Sequence, residues 1–277
     1  ARHFEEARIT DKAIHYLHQA GERAERLSAY QEGISHLTRG LNLLMTMPDS
    51  TSRAQQELTL QTSLTRARIG DIPGPKWESA ITRARELCQQ LGKTTQLSRV
   101  LGEHAIHHYV RAEYLTAREL GTEALNLAQQ SGDPLLVALS HWCLGFILCG
   151  LGEFMAARAH FGQVLSFYEP QQHHGSLVLL RGSDAGLSAL AYDAVCLWCL
   201  GYPEQAWRQR QQALALARDL DHAFSLADVL CYGGCLFNKM RREPHALKKD
   251  AEELTQISKE MGFISFFGTG TCYWGEA

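Results

Sequence analysis

The chain has no excess of positive charge. Lys plus Arg number 27 against 30 Asp plus Glu, a formal charge of −3. This removes the basic footprint of a nucleic-acid binder, and short clusters such as Arg208-Gln209-Arg210 or Arg241-Arg242 do not make a stripe. No apolar run reaches the roughly 18 residues that span a bilayer, so no membrane partner is expected. No apolar stretch follows Arg2, as a secretory signal would require. A GxxxxGK phosphate loop is absent, and no Ser/His/Asp or Cys/His set can be defended. Alternating β-branched stretches are missing too, so no strands are expected.

What is present is ordinary globular composition, 277 residues that are 45% hydrophobic and 21% charged. The eight cysteines mostly sit inside apolar helical stretches, such as Trp142-Cys143-Leu144 and Val195-Cys196-Leu197. There they read as small hydrophobes in a reducing, cytoplasmic protein rather than as a disulfide framework.

A helical period dominates the chain. Ala117, Leu120, Gly121, Ala124, Leu125 and Ala128 fall on one stripe. Small residues also recur in pairs twelve apart: Gly21/Gly33, Ala105/Ala117, Gly145/Ala157, Ala194/Ala206 and Gly234/Ala246. Each pair brackets a helix–turn–helix. A small side chain on each of two antiparallel helices lets their backbones approach, and repetition stacks hairpins into a solenoid. The expected fold is all-α: a right-handed superhelical solenoid of about six to seven hairpins.

The anchors Ala13, Gly33, Ala80, Ala117, Ala157, Ala206 and Ala246 are spaced by 20, 47, 37, 40, 49 and 40 residues. The spacing of 49 marks an insertion, expected as a loop near 170–186. Gly70-Asp71-Ile72-Pro73-Gly74-Pro75 predicts a kink near 70–75. Residues 1–277 are expected to form a single helical-repeat domain. The first residue is not Met, and the apolar segment near 263–274 has no partner helix after it, so the chain is expected to be a fragment of a longer protein.

Gly145, Leu148, Ala157, Phe161 and Val164 stand at the offsets of the tetratricopeptide repeat, which this block resembles. Arg210 and Asp250 depart from the pattern where Phe161 has its counterparts. Lys12 to Ala24, His36 to Leu41, Gly152 to His160 and Leu197 to Ala206 carry a narrower likeness. They resemble the C-terminal repeat regions of bacterial signalling proteins in which a class III adenylate or guanylate cyclase precedes an AAA or STAND NTPase. The resemblance implies a non-catalytic sensor or scaffold without cofactor. Its partner is a protein or peptide, including the NTPase or cyclase domains of the same polypeptide, or a small-molecule effector. A constitutive scaffold and the sensor of a STAND-type transcription activator are the alternative readings.

Counting from the small residues places Tyr109, Trp142, Phe146, Tyr192, Trp198 and Tyr232 on or near the concave side, with Arg99 and Asn238 beside them. An aromatic concave wall with a few polar groups suits a peptide or small ligand. The same residues could instead fill the core between hairpins. His104, His107 and His108 have metal-compatible spacing but no second cluster to complete four ligands, and no metal is assigned. Cys196-Leu197-Trp198-Cys199 has CxxC spacing, but inside an apolar helix and not after a strand.

Overall fold

A computed structural model describes residues 9–27, 29–67 and 75–277. The described residues are helical throughout, with no strand among them. The first hairpin is α1 (Thr10–Arg26) with α2 (Tyr30–Leu44), and the second is α3 (Thr51–Ala67) with α4 (Pro75–Gln90). Next come α5 (Thr94–Val110) with α6 (Tyr114–Ser131), and α7 (Pro134–Gly150) with α8 (Phe154–Phe167). Then α9 (Pro170–Arg181) precedes the hairpin of α10 (Ala185–Cys199) and α11 (Pro203–Asp219). The last hairpin opens with α12 (Ala223–Val229), continues through a π-helical segment (Leu230–Leu236) into α13 (Phe237–Arg241), and returns through α14 (Pro244–Met261). The chain ends in α15 (Ile264–Glu276). Helices adjacent in sequence pack on each other, as in a solenoid of stacked hairpins, except at α9, which packs on α10, α1 and α7 instead of mainly on α8.

The small-residue rhythm has the expected cause. Every member of the five pairs is buried except Ala246, which is half-buried. A Cβ on Gly145 would lie 2.6 Å from the Phe161 ring, so only glycine admits that ring between α7 and α8. The stripe Ala117, Leu120, Gly121, Ala124, Leu125 and Ala128 is the buried face of α6.

Capping sets the helix ends. Pro134 opens α7 with its missing N–H at no cost, and Asp133 caps it by accepting from the Leu135 and Leu136 amides at 2.9 and 3.3 Å. Asp184 does the same for α10 with Gly186 and Leu187, at 2.8 and 3.2 Å. Within hairpins the turn recurs. Glu113, Glu153, Tyr202 and Glu243 donate their amides to the carbonyls of His108, Leu148, Leu197 and Asn238. The residue before each is left-handed: Ala112, Gly152, Gly201 and Arg242, with φ of 61°, 79°, 85° and 60°.

One expectation changes on this frame. The insertion near 170–186 is not a loop. Pro170 starts a helix and Gly182, at φ 90°, stops it, so the extra residues form α9 outside the two-helix rhythm. The expected kink near 70–75 lies outside the described residues up to Gly74, and Pro75 already belongs to α4.

The superhelix returns on itself. Tyr30, at the start of α2, packs its ring 5.2 Å from Phe224 and 5.8 Å from Phe263, far along the chain. Its hydroxyl donates to the carbonyl of Gly182 at 2.8 Å. The first hairpin therefore meets α9, α12 and the α14–α15 junction, and the concave side becomes a chamber.

Candidate functional site: the concave chamber

The chamber holds about 330 Å³ and draws on nearly every hairpin. Helix α5 contributes Ser98, Arg99, Glu103 and Ile106, and α7 contributes Leu136, Leu139, Trp142 and Phe146. Thr65 and Arg66 come from α3, Trp77 from α4, and Leu180 and Arg181 from α9. The far wall is Tyr192 of α10, Phe224 and Asp228 of α12, Tyr232 of the π segment and Phe266 of α15.

An aromatic ladder crosses the inner helices. Tyr109 lies 4.2 Å from Phe146, Phe146 5.1 Å from Tyr192, and Tyr192 4.5 Å from Tyr232, measured between ring centroids. Trp142 stacks on Phe146 at 5.5 Å. These spacings are those of favourable aromatic pairs. Burial pushes the Tyr192 and Tyr232 phenols well above their ordinary value, so both stay neutral hydrogen-bonding groups. The π segment widens the helix at Leu230–Leu236, where Tyr232 meets the ladder.

Charge in the chamber comes in three places. Arg66 is paired: its Nε lies 3.2 Å from Glu25 Oε2, and a terminal nitrogen donates to Ser63 Oγ at 3.0 Å. Arg181 lies over Trp142, its guanidinium carbon 3.5 Å from the ring centroid, and also donates to Ser183. Asp228 is 3.9 Å from Arg181 and accepts from Ser188. The third place is different. Arg99 and Glu103 lie one turn apart on α5, and no ion pair holds either among the described residues, with the Thr65 side chain beside Glu103. Arg99 Nε and both Glu103 carboxylate oxygens are buried without a partner. The nearby Thr65 hydroxyl already donates to the Thr62 carbonyl. Burial pushes Glu103 up and Arg99 down, each opposed by the other's charge.

Of the eight residues placed on the concave side from sequence, Arg99, Trp142, Phe146, Tyr192 and Tyr232 line the chamber. Three do not. Tyr109 covers Gly150, where a Cβ would lie 2.4 Å from its ring, and supports Phe146 from outside. Trp198 packs edge-on to Phe237 at 5.6 Å. Asn238 is 0% exposed and donates to Asp250 at 2.8 Å, between α13 and α14. Counting along a regular helix misplaces the last of these because the π segment shifts the register ahead of it. Arg66, Glu103, Arg181 and Asp228 were missed. Glu103 had a signal, an acid four residues from Arg99 on an inner helix, and Asp228 had one too, a lone charge in the apolar run Ala227-Asp228-Val229.

The other clusters are occupied structurally. His107 is buried against Trp77 at 5.3 Å, and His108 Nδ1 bonds Glu113. No group of three or more side chains that could hold a metal is found among the described residues. Cys196 is buried with its sulfur 3.7 Å from that of Cys149, while Cys199, its CxxC mate, is exposed. Ser225 and His222 are 2.8 Å apart but buried, with Ser225 Oγ accepting from the Asp184 amide at 3.0 Å.

The sequence matches no protein-family model and no curated protein. Solved structures do match. NprR in complex with its cognate peptide NprX aligns over 96% of this chain and 75% of its own, at 15% identity and a TM-score of 0.67. A Rap protein complexed with competence and sporulation factor aligns over 94% and 69%, at 12% identity and a TM-score of 0.64. The fold is that of the tetratricopeptide-like helical repeats. A STAND protein with a tetratricopeptide repeat sensor from Pyrococcus horikoshii is a third neighbour, at 11% identity and a TM-score of 0.53, covering 91% of this chain and 41% of its own. Identities this low speak to architecture alone. No described helix is long and apolar enough to cross a membrane.

Proposed function

We propose that this chain is a non-catalytic sensor region that takes a peptide or small ligand into the concave chamber. Occupancy is read out by an output module of a larger signalling polypeptide, an NTPase or nucleotide cyclase. The observation that carries the reading is the shape of the chamber. Its wall is assembled from α3, α4, α5, α7, α9, α10, α12, the π segment and α15. A ligand there touches almost every repeat at once. In a solenoid, curvature is the sum of small rotations between repeats, so a contact shared by all of them shifts the whole superhelix. Two structural neighbours were solved with a peptide or signalling factor bound, which supports a peptide as occupant.

Binding and shape are measured together in the test. The purified chain is titrated with a random short-peptide library, and intrinsic tryptophan fluorescence and the radius of gyration by small-angle scattering are followed. Saturable quenching with a change in radius supports the sensor. Quenching without any change in dimensions points to a constitutive scaffold. No quenching by any peptide, with no small molecule retained on purification, refutes the reading.

A further inference from the structure

The unpartnered pair on α5 says more about the ligand. An ionised side chain taken out of water costs several kcal/mol unless a partner compensates it. Arg66 has Glu25 and Ser63, and Arg181 has Trp142, Ser183 and Asp228. Neither Arg99 nor Glu103 has an ion pair of this kind, although both line the chamber and both carry buried atoms without a hydrogen bond; the Thr65 side chain lies beside Glu103. They are separated by one helical turn, which brings their side chains to the same face. They do not approach within ion-pair distance of each other. A cation and an anion held open side by side match a ligand that presents an anion and a cation side by side. Arg66 and Thr65 also act on the pair from α3, and much of the remaining wall is apolar: Ile106, Leu136, Leu139, Trp142, Phe146 and Phe266.

We propose that the chamber recognises a zwitterion with an apolar body, its carboxylate taken by Arg99 and its ammonium by Glu103, with the apolar part on the Trp142–Phe146 stack. An apolar amino acid and an apolar dipeptide share this chemistry, and both are compatible with about 330 Å³. The fork of Arg99 suits a planar carboxylate, and the two oxygens of Glu103 suit an N–H donor set. The inference rests on the sensor reading and names its ligand class.

The test uses the whole chain and isothermal titration calorimetry, with L-phenylalanine, the dipeptide Leu-Phe, and Leu-Phe capped by N-acetylation, by C-amidation or by both. Saturable binding of one free zwitterion is expected, with each cap weakening it by about tenfold or more. Arg99→Met should abolish the penalty of the C-terminal cap while keeping that of the N-terminal cap, and Glu103→Gln should do the reverse. Each variant removes one buried charge and the attraction it gives the other, so the melting temperature of each is measured beside the titration, and only a variant that unfolds cooperatively above the titration temperature is scored, which keeps folding failure from being mistaken for loss of binding. Tighter binding of phenylalanine than of the dipeptide identifies an amino acid as the ligand, and the opposite order a peptide. Capped and free ligands binding equally, or cap penalties that survive in both variants, would overturn the assignment. Binding of longer capped peptides, with none of the free zwitterions, overturns it while leaving the sensor reading intact.

Discussion

The hydroxyl of Tyr30 reaches across 152 residues of sequence to donate to the carbonyl of Gly182. Gly182 is the left-handed stop of α9, so the bond joins the first hairpin to the one helix that breaks the repeat. The Tyr30 ring meanwhile packs against both Phe224 and Phe263, which lie 5.1 Å from each other. Tyr30→Phe keeps the ring and loses the hydrogen bond, which should cost about 1 kcal/mol. Tyr30→Ala also loses the packing and should cost about 3–5 kcal/mol. Urea midpoints measure both. If the contact is what shuts the superhelix, the alanine variant also gives a larger radius of gyration in small-angle scattering.

The two departures from the repeat pattern answer each other. Phe161 stands four residues after Ala157, and Arg210 and Asp250 stand four residues after Ala206 and Ala246. Arg210 pairs with Asp250, which also accepts from Asn238, and both partners are buried, with side chains 7% and 8% exposed. Gly234 leaves the room: a Cβ there would meet Asp250 Oδ2 at 3.0 Å. An ion pair therefore replaces aromatic packing between these hairpins. Asp250→Ala alone strands a buried guanidinium and should cost about 3–5 kcal/mol. The double variant Arg210→Leu/Asp250→Leu should cost clearly less than the sum of its singles. A thermodynamic cycle by chemical denaturation gives the coupling, and additive costs would contradict the pairing.

Much of this is legible in the sequence, for a physical reason. Hairpin packing is local: a small residue twelve positions from another and an apolar stripe decide it, and both are written in consecutive residues. Closure is not local. Whether Tyr30 meets Gly182 depends on the summed rotation of every intervening repeat, and no short window carries that sum. The chamber inherits this. Arg99, Trp142 and Phe146 could be placed by counting along inner helices, but Arg181 enters only because α9 folds as a helix and swings its last turn over Trp142. Asn238 was misplaced because the π segment changes the count before it.

Left-handed turn positions offer a stabilisation test. Gly152 and Gly201 occupy the recurrent hairpin turn, while Ala112 and Arg242 occupy the same place with φ of 61° and 60°. A side chain in that conformation costs about 1–2 kcal/mol relative to glycine, partly offset by the greater freedom of glycine in the unfolded chain. Ala112→Gly and Arg242→Gly should each stabilise by about 0.5–1 kcal/mol. Their separation along the solenoid makes the double variant additive. Thermal unfolding followed by circular dichroism at several scan rates checks both claims, and a fall in midpoint for either single would contradict the turn assignment.

The imidazole of His222 gives the fold a pH dependence with a defined sign. It is 7% exposed and caps α12, with its Nδ1 accepting from the Ser225 amide at 3.3 Å. The Ser225 hydroxyl is 2.8 Å from the same nitrogen. The amide contact needs an unprotonated Nδ1, and a positive charge at a helix N-terminus is unfavourable. Burial, with the neighbouring His174 adding to it, lowers the ring to about 4. The unfolded chain, with an ordinary pKa of about 6.5, therefore binds a proton that the folded chain refuses between those values. The stabilisation is present above pH of about 6.5 and is lost as the pH falls toward 4, by about 2 kcal/mol between pH 7 and 5. The substitution His222→Asn retains a side-chain cap and removes the titrating group. The difference in stability between the parent and this variant should accordingly shift by about 2 kcal/mol toward the variant on going from pH 7 to 5. Urea denaturation at the two pH values measures it, and a difference independent of pH would show that His222 is not held neutral by the fold.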